Sequence, residues 1–208
     1  GYTSQFYGDT PSLATVGSSN YIHNTKSADS IMRIYETKLS NAALRYDGTV
    51  MLWGNSSQGG QIDYWGQHTA GDLYNIVNIC STTLAFAALR SNGTVLVWGN
   101  TDTGQDLSFD NSISTTNVKK IYSNDYSFAF LRKNGTVFVW GSSYTGGKNT
   151  DIIKALSDVK EIYNTQNGFI ALKESDGSLF FWNKVSQPHS PGEYAIPGIT
   201  NAKRIYTS

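Results

Sequence analysis

One short segment is repeated along the chain, and this repetition limits the possible folds more than any other feature. The copies occupy residues 43–54, 87–99, 130–141 and, in a divergent form, 171–182. Their turn glycines are 45, 42 and 42 residues apart, and their tryptophans have the same spacing. A fixed period of this size is typical of repeat architectures, in which each copy is one supersecondary unit.

Each copy predicts a β-hairpin. An Asn-Gly or Asp-Gly pair lies at its centre, and such pairs readily form the type I′ turn that joins twisted antiparallel strands. With Asn92-Gly93 as a two-residue loop, Leu89 would face Leu96. Both faces of the resulting hairpin are apolar, whereas a hairpin with one solvated face alternates apolar and polar residues. We therefore expect every hairpin to be packed between neighbours.

A second recurring element precedes each hairpin and predicts a short strand. Its copies are Arg33-Ile34-Tyr35, Asn78-Ile79-Cys80, Lys120-Ile121-Tyr122, Glu161-Ile162-Tyr163 and Arg204-Ile205-Tyr206. The isoleucine lies ten residues before the hairpin leucine wherever a hairpin follows. In the fourth hairpin one extra residue separates Leu172 from Gly177, which predicts a bulge or a longer loop.

The repeats divide the chain into two parts. Residues 1–30 match the repeats poorly and are expected to be the tail of a preceding repeat or an irregular segment. Residues 31–208 carry the repeats, and the fifth copy stops at residue 208 without a hairpin. We expect a segment of a longer protein, or a ring completed by something else. The predicted hairpins lie near residues 42–54, 86–99, 128–141 and 169–183.

The segments between a hairpin and the next strand are rich in Gly, Ser, Thr and Asn, and three have a glycine six residues after the tryptophan. Such composition predicts surface loops. One helical turn is expected within residues 150–157.

Composition indicates a weakly charged surface. Charged residues make up 15% of the chain, Lys and Arg number 16 and Asp and Glu number 16, so the formal net charge is +0. About 25% charged residues is usual for soluble domains. Without a basic patch, nucleic acid and anionic membranes are not expected partners. The single cysteine, Cys80, occupies a position where other copies have tyrosine, and is interpreted as a packing residue.

No motif in the chain indicates catalysis. His23, His68 and His189 lie in unrelated segments without ligand spacing, and no nucleophile elbow, phosphate-binding loop or zinc-protease motif is present. The recurring turn residues Asp47, Asn92, Asn134 and Asp176 are explained by the hairpins. We expect a protein that is not an enzyme and has no cofactor. A hydrolase would need an acidic pair that converges in the fold.

Two segments are candidates for binding. The run containing Asn100, Asp102 and Asp106 has oxygen ligands at alternate positions, as in a calcium loop, but it lacks the closing glutamate, so a solvated loop is the alternative. The longest connector carries Tyr64, Trp65 and His68. Aromatic residues on loops can contact sugar rings or proteins. The alternative is a loop packed over its own repeat.

The four recurring tryptophans have a different interpretation. Their fixed position within an apolar face predicts that they form the core of each repeat rather than a sugar-stacking surface. They are Trp53, Trp98, Trp140 and Trp182.

The pattern Ala-Leu-Lys/Arg-x-Asp/Asn-Gly-Thr-Val-x-x-Trp-Gly, followed by a glycine and a Val-Lys-x-Ile-Tyr strand, resembles the regulator-of-chromosome-condensation repeat over about residues 31–208. The resemblance implies an all-β fold of β-propeller blades, about four full repeats and partial ones, within a ring that in this family usually has seven four-stranded blades. The repeats look most like the propeller modules of large bacterial surface proteins, which are adhesin-like.

Three hypotheses follow from the resemblance and the composition. The first is a non-enzymatic, extracellular or cell-surface module that binds a glycan or protein on a host or neighbouring cell, with its export signal outside this segment. The second is an intracellular regulator that binds a small GTPase and promotes nucleotide exchange. The third, a hydrolase, has the least support. An open blade face would also allow self-association.

Overall fold

The computed structural model describes residues 30–61, 72–100, 116–148, 150–183, 193–196 and 199–206. Within these ranges the chain forms four antiparallel sheets, called blades here, and each is made of strands that are consecutive in the sequence. The same ranges contain one five-residue α-helix, α1 (Asp151–Ala155). The strands are β1 (Ile31–Glu36), β2 (Ser40–Arg45) and β3 (Val50–Gly54) in blade 1; β4 (Ile76–Ser81), β5 (Ala85–Arg90) and β6 (Val95–Gly99) in blade 2; β7 (Val118–Ser123), β8 (Ser127–Arg132) and β9 (Val137–Gly141) in blade 3; and β10 (Val159–Thr165), β11 (Gly168–Lys173), β12 (Leu179–Trp182) and β13 (Glu193–Ala195) in blade 4. The predicted all-β fold of propeller blades is confirmed.

The hairpin turn differs in type from the prediction. In blade 2, the Arg90 N–H donates to the Thr94 carbonyl at 2.8 Å, and Gly93 has φ +86° whereas Asn92 does not have a positive φ. The loop is therefore the three-residue form, in which a turn is followed by a left-handed glycine. The Asn92 side chain accepts hydrogen bonds from both the N–H and the hydroxyl of Thr94, at 2.9 and 2.8 Å.

This loop moves the strand register by one residue from the predicted one. Leu89 faces Val95 rather than Leu96, and Phe86 faces Trp98. The predicted pairing was therefore wrong, although the prediction that both faces of the hairpin are buried is confirmed. In blade 4 the loop is one residue longer, as predicted, because the Lys173 N–H donates to the carbonyl of Ser178.

Blades 2, 3 and 4 each pack the face that carries the tryptophan, here called the tryptophan face, against the opposite face of the preceding blade. Phe86 and Trp98 of blade 2 form one buried cluster with Ala42 and Leu44 of blade 1. The same arrangement joins blade 3 to blade 2 and blade 4 to blade 3. This stacking explains why a hairpin in this chain needs no polar face.

The first strand of each blade lies nearest the axis around which the blades fan out, since the first strands of successive blades lie closest to one another. The turns that follow these strands are also linked directly. The Lys38 N–H donates to the Thr83 carbonyl at 2.9 Å, and the Thr83 N–H donates to the Asp125 carbonyl at 2.8 Å. We call β1, β4, β7 and β10 the inner strands.

The start of the fifth copy contacts the hairpin turn of blade 4. The start of an inner strand contacts the hairpin turn of the preceding blade in the same way. The Ala202 N–H donates to the Gly177 carbonyl at 3.2 Å, as the Ile76 N–H donates to the Gly48 carbonyl at 2.9 Å. Asn201 has φ +60° and corresponds to Asn75, Asn117 and Asp158, which also have a positive φ. The boundary predicted at residue 30 stays a prediction, because residues 1–29 lie outside the described ranges.

Candidate functional site

The blades have two ends with different character. One end, here called the connector end, contains the turns between first and second strands and the points where the chain leaves β3, β6 and β9. The other, the hairpin end, contains the turns between second and third strands and the starts of the inner strands. Loops that connect blades can vary in a propeller fold without disturbing the stacked core, so binding features are expected first at the connector end.

Two connectors are anchored to the next blade through buried glycines. Short 3₁₀ turns at Ser56–Gln58 and Ser143–Thr145 end in the left-handed glycines Gly59 (φ +91°) and Gly146 (φ +84°). The Trp98 indole N–H of the next blade donates to the Gly59 carbonyl at 3.2 Å. The prediction of surface loops was wrong at these glycines, since both are buried against the aromatic pair of the next blade.

A buried polar network fixes the connector of blade 3. The Asn124 amide nitrogen donates to the carbonyls of Thr145 and Gly168, at 2.8 and 3.3 Å, and its oxygen accepts from the Ser127 N–H at 2.9 Å. The Ser127 hydroxyl donates to the Ser142 carbonyl at 2.9 Å. Asn124 therefore ties its own turn, the connector and blade 4 together, and the connector has little freedom to move.

Replacing Asn124 by alanine tests this network. We expect Asn124→Ala to lower the free energy of unfolding by about 2 kcal/mol, because the buried carbonyls of Thr145 and Gly168 lose their donor. Thermal unfolding followed by circular dichroism measures the change. The neighbouring exposed residue offers the control, Asp125→Ala, which retains the network because only the Asp125 backbone carbonyl takes part in the inter-blade bond. Equal stability of the two variants would contradict the anchoring role.

Two exposed tyrosines are held on this anchored structure. Tyr126 is 41% exposed and Tyr144 is 54% exposed. The Tyr126 carbonyl accepts from the Ser142 N–H at 3.0 Å, and the Ser142 hydroxyl accepts from the Tyr144 N–H at 3.2 Å. The backbones of both tyrosines are therefore held by hydrogen bonds to the same residue, Ser142. Tyrosine is enriched at binding sites because its ring offers a large contact area and its hydroxyl can form hydrogen bonds.

Of the six candidate binding residues predicted from the sequence, the structure describes one, Asn100. Tyr64, Trp65 and His68 lie outside the described residues, as do Asp102 and Asp106, so both candidate sites stay predictions. Asn100 follows β6 and is half-buried, and its N–H donates to the carbonyl of Leu84 at 2.9 Å. The helical turn expected within residues 150–157 is present as α1.

Three of the recurring tryptophans, Trp98, Trp140 and Trp182, belong to the packing between blades, whereas Trp53 of blade 1 is half-buried. Trp98 is 4% exposed and Trp182 is fully buried, and each stacks on a phenylalanine, Phe86 or Phe169, with ring centroids 5.4 Å apart. Cys80 packs against the cluster between blades 2 and 3, and burial raises the pKa of its thiol to about 12. A thiol with such a pKa stays protonated near neutral pH, consistent with a packing role.

Charged residues link two neighbouring inner strands, β7 and β10. The Tyr122 hydroxyl of β7 donates to Glu161 of β10, and Lys120 forms an ion pair with the same carboxylate. Burial, together with the nearby carboxylate of Glu161, raises the pKa of Tyr122 above its ordinary value. Within the part of the chain that the structure describes, no group of three or more His, Cys, Asp or Glu residues could hold a metal ion. No helix in that part is long and apolar enough to cross a membrane.

The two exposed tyrosines were not predicted from the sequence because each lies in a turn, at a position where other copies have a different residue. Tyr126 occupies the turn position taken by Leu39 and Leu84 in blades 1 and 2. Tyr144 precedes Thr145 and the pair Gly146-Gly147. A glycine pair at this place, also present as Gly59-Gly60, is the sequence feature that could have indicated an anchored connector.

No family model matches the chain, and no curated protein matches it. Solved structures of similar fold do match. Yeast RCC1 (Prp20) in complex with Kap60 is 20% identical, with a TM-score of 0.55 over 74% of this chain and 43% of that protein. Prp20p from Saccharomyces cerevisiae, studied for its binding to Gsp1p and histones, is 20% identical, with a TM-score of 0.55 over 81% of this chain and 51% of that protein.

Human WBSCR16 is 18% identical, with a TM-score of 0.53 over 84% of this chain and 55% of that protein. The chain thus spans about half the length of these proteins. At such identities the likeness concerns the fold, and it confirms that the repeats form β-propeller blades like those of RCC1.

Proposed function

We propose that this chain is a non-enzymatic, ligand-binding propeller module of a bacterial surface or secreted protein. Its ligand is a glycan or a protein on a host or neighbouring cell, and the binding surface lies at the connector end. The observation that carries the proposal is a pair of exposed tyrosines, Tyr126 in the turn between β7 and β8 and Tyr144 on the connector of blade 3. Buried hydrogen bonds hold this turn and this connector together. Function in a propeller depends on such grafted surfaces rather than on the fold itself.

The anchoring matters because ordering a loop on binding reduces affinity. A connector already fixed by Asn124 and Ser127 loses little conformational freedom when a ligand docks. The tyrosine rings then offer apolar contact area, and their hydroxyls offer hydrogen bonds to sugar hydroxyls or peptide groups. Thr145 and Gly147 below them are buried, so the rings stand on packed structure.

Charge also favours a neutral or mixed ligand over a polyanion. The chain has 16 basic and 16 acidic residues, and 15% of its residues are charged. A nucleic-acid-binding surface would concentrate basic residues on one face. Glycans and ordinary protein surfaces are bound mainly through aromatic, hydroxyl and amide groups, which are abundant here.

The experiment is binding of the fluorescently labelled chain to cells before and after enzymatic treatment of those cells. Loss of binding after glycosidase treatment identifies a glycan ligand, and loss only after protease treatment identifies a protein ligand. Absence of binding to every cell type, with the chain shown to be folded, would contradict the proposal.

Substitution of the two tyrosines locates the binding surface. We expect Tyr126→Ala combined with Tyr144→Ala to weaken cell binding about 30-fold, because exposed aromatic anchors dominate many interfaces. The matched control is Tyr46→Ala, since Tyr46 is 72% exposed but lies at the hairpin end. Equal loss in both variants, or none in the double variant, would place the ligand elsewhere, and Tyr64, Trp65 and His68 would be the next residues to replace.

The alternative function is binding of a small GTPase with nucleotide exchange inside the cell. The similar fold of Prp20p, which was studied for its binding to Gsp1p, is the reason to test it. A nucleotide-release assay with fluorescent GDP on candidate GTPases distinguishes the two proposals. Accelerated release by catalytic amounts of the chain would favour the alternative and count against a surface module.

A further inference from the structure

Every inner strand contains a β-bulge at the same position. The register with the second strand skips one residue between Ile76 and Asn78 in blade 2, and the corresponding residue is skipped in blades 1, 3 and 4. A bulge leaves one extra residue unpaired and turns its side chain away from the regular alternation. The extra residues are Met32, Val77, Lys119 and Lys160.

All four bulge side chains are exposed, although their strands lie nearest the axis. The fifth copy continues the series. Because the Ala202 N–H occupies the place of the Ile76 N–H, Lys203 occupies the place of Val77, and it is also exposed. The four bulge side chains, together with Lys203 at the equivalent place in the fifth copy, therefore lie in register around the axis at the hairpin end.

These side chains divide into an apolar and a cationic part. Met32 and Val77 are 51% and 55% exposed, and they lie on adjacent blades. The next three are lysines. Lys160 forms an exposed ion pair with Glu174 at 3.1 Å, whereas no ion pair among the described residues involves Lys119 or Lys203. The exposed Arg204 adds a further cation beside Lys203.

We propose that this arc of bulge side chains is a docking surface for an acidic peptide segment of a partner protein. The carboxylates of the peptide contact Lys119, Lys160 and Lys203, and its apolar side chains pack on Met32 and Val77. Charge complementarity identifies the acidic character of the partner. The exposed apolar pair, which a purely ionic site would not need, identifies its apolar residues.

A peptide fits this surface better than a nucleic acid does. Glu161 and Glu174 lie beside the lysines and pair with Lys120 and Lys160. A continuous row of phosphates would be repelled by these carboxylates, whereas separate carboxylates on a peptide can meet the lysines one at a time. The surface lies at the opposite end of the blades from Tyr126 and Tyr144, so it is a second site that does not depend on the proposed function.

The test uses the full chain and a fluorescein-labelled peptide of alternating glutamate and leucine, with binding followed by fluorescence polarisation. We expect saturable binding that weakens with added salt. Charge reversal by Lys119→Glu with Lys203→Glu is expected to weaken it about tenfold. Met32→Ser with Val77→Ser is expected to weaken it about fivefold.

The matched control is Lys38→Glu with Lys148→Glu, which reverses two exposed lysines of the connector end and leaves the affinity unchanged. Two further probes are the same peptide with glutamine in place of glutamate, which is expected not to bind, and a single-stranded DNA oligonucleotide. The proposal is overturned if the acidic peptide does not bind, if the control variant loses as much affinity as the charge reversal, or if the DNA binds more tightly at the same lysines.

Discussion

Replacing Trp182 by alanine is expected to lower the free energy of unfolding by about 4 kcal/mol. The side chain is fully buried, stacks on Phe169 and fills the space between blades 3 and 4. Its removal leaves a cavity that cannot close without moving one blade against the other. For a chain of this size the midpoint of thermal unfolding is expected to fall by about 10 °C.

Two further variants separate cavity formation from the general effect of losing an aromatic ring. Trp182→Phe keeps a ring in the stack with Phe169 and is expected to cost about half as much. Tyr46→Ala removes an exposed ring and is expected to change stability by less than about 0.5 kcal/mol. Differential scanning calorimetry measures all three. A wild-type midpoint for Trp182→Ala would mean that Trp182 is not part of the packing between blades.

The position of Trp182 illustrates how much of the fold the sequence predicts. The spacing of the repeats, the turn residues and the apolar character of both hairpin faces together indicate stacked blades, and the structure has them. These features are predictable because they depend on composition and periodicity, which act at every copy. Repetition also allowed one copy to be interpreted from the others.

The strand register was not predicted because an Asn-Gly pair is compatible with two hairpin loops. In a two-residue loop both residues have positive φ, whereas here Gly93 does and Asn92 does not. The distinguishing feature is the residue after the glycine. Thr94 donates both its N–H and its hydroxyl to the Asn92 side chain, and Thr or Ser occupies this place in every copy.

The candidate binding surfaces were harder to predict, for two physical reasons. Tyr126 and Tyr144 become neighbours through hydrogen bonds to Ser142, a contact between separate segments that no local pattern contains. The bulges have no signature in composition either. The alternation of apolar and polar residues in a strand this short does not show which residue forms the bulge. In β7 the bulge residue is Lys119, whereas Ile121 is paired and buried.

The burial of the connector glycines also depends on contacts between separate segments, so the sequence did not predict it. Gly147, in the connector of blade 3, has the closest of these contacts with backbone. Gly147→Ala is expected to lower the free energy of unfolding by about 3 kcal/mol. A Cβ atom there would lie 2.4 Å from the carbonyl carbon of Gly141 and 2.7 Å from the hydroxyl of Ser127. The nearest obstacle is backbone, so no side-chain rotation can relieve the clash, and the connector has to move.

Movement of the connector also disturbs the network that holds Tyr126 and Tyr144, so the variant is expected to bind cells more weakly than its loss of stability explains. The control is Lys148→Ala, which alters the exposed residue next in the chain and should match the wild type in both assays. Urea unfolding measures the stability, and cell binding is measured well below the unfolding midpoint. Wild-type stability would contradict the close packing at Gly147. Lower stability with unchanged binding would mean that the connector is not part of the surface that binds the ligand.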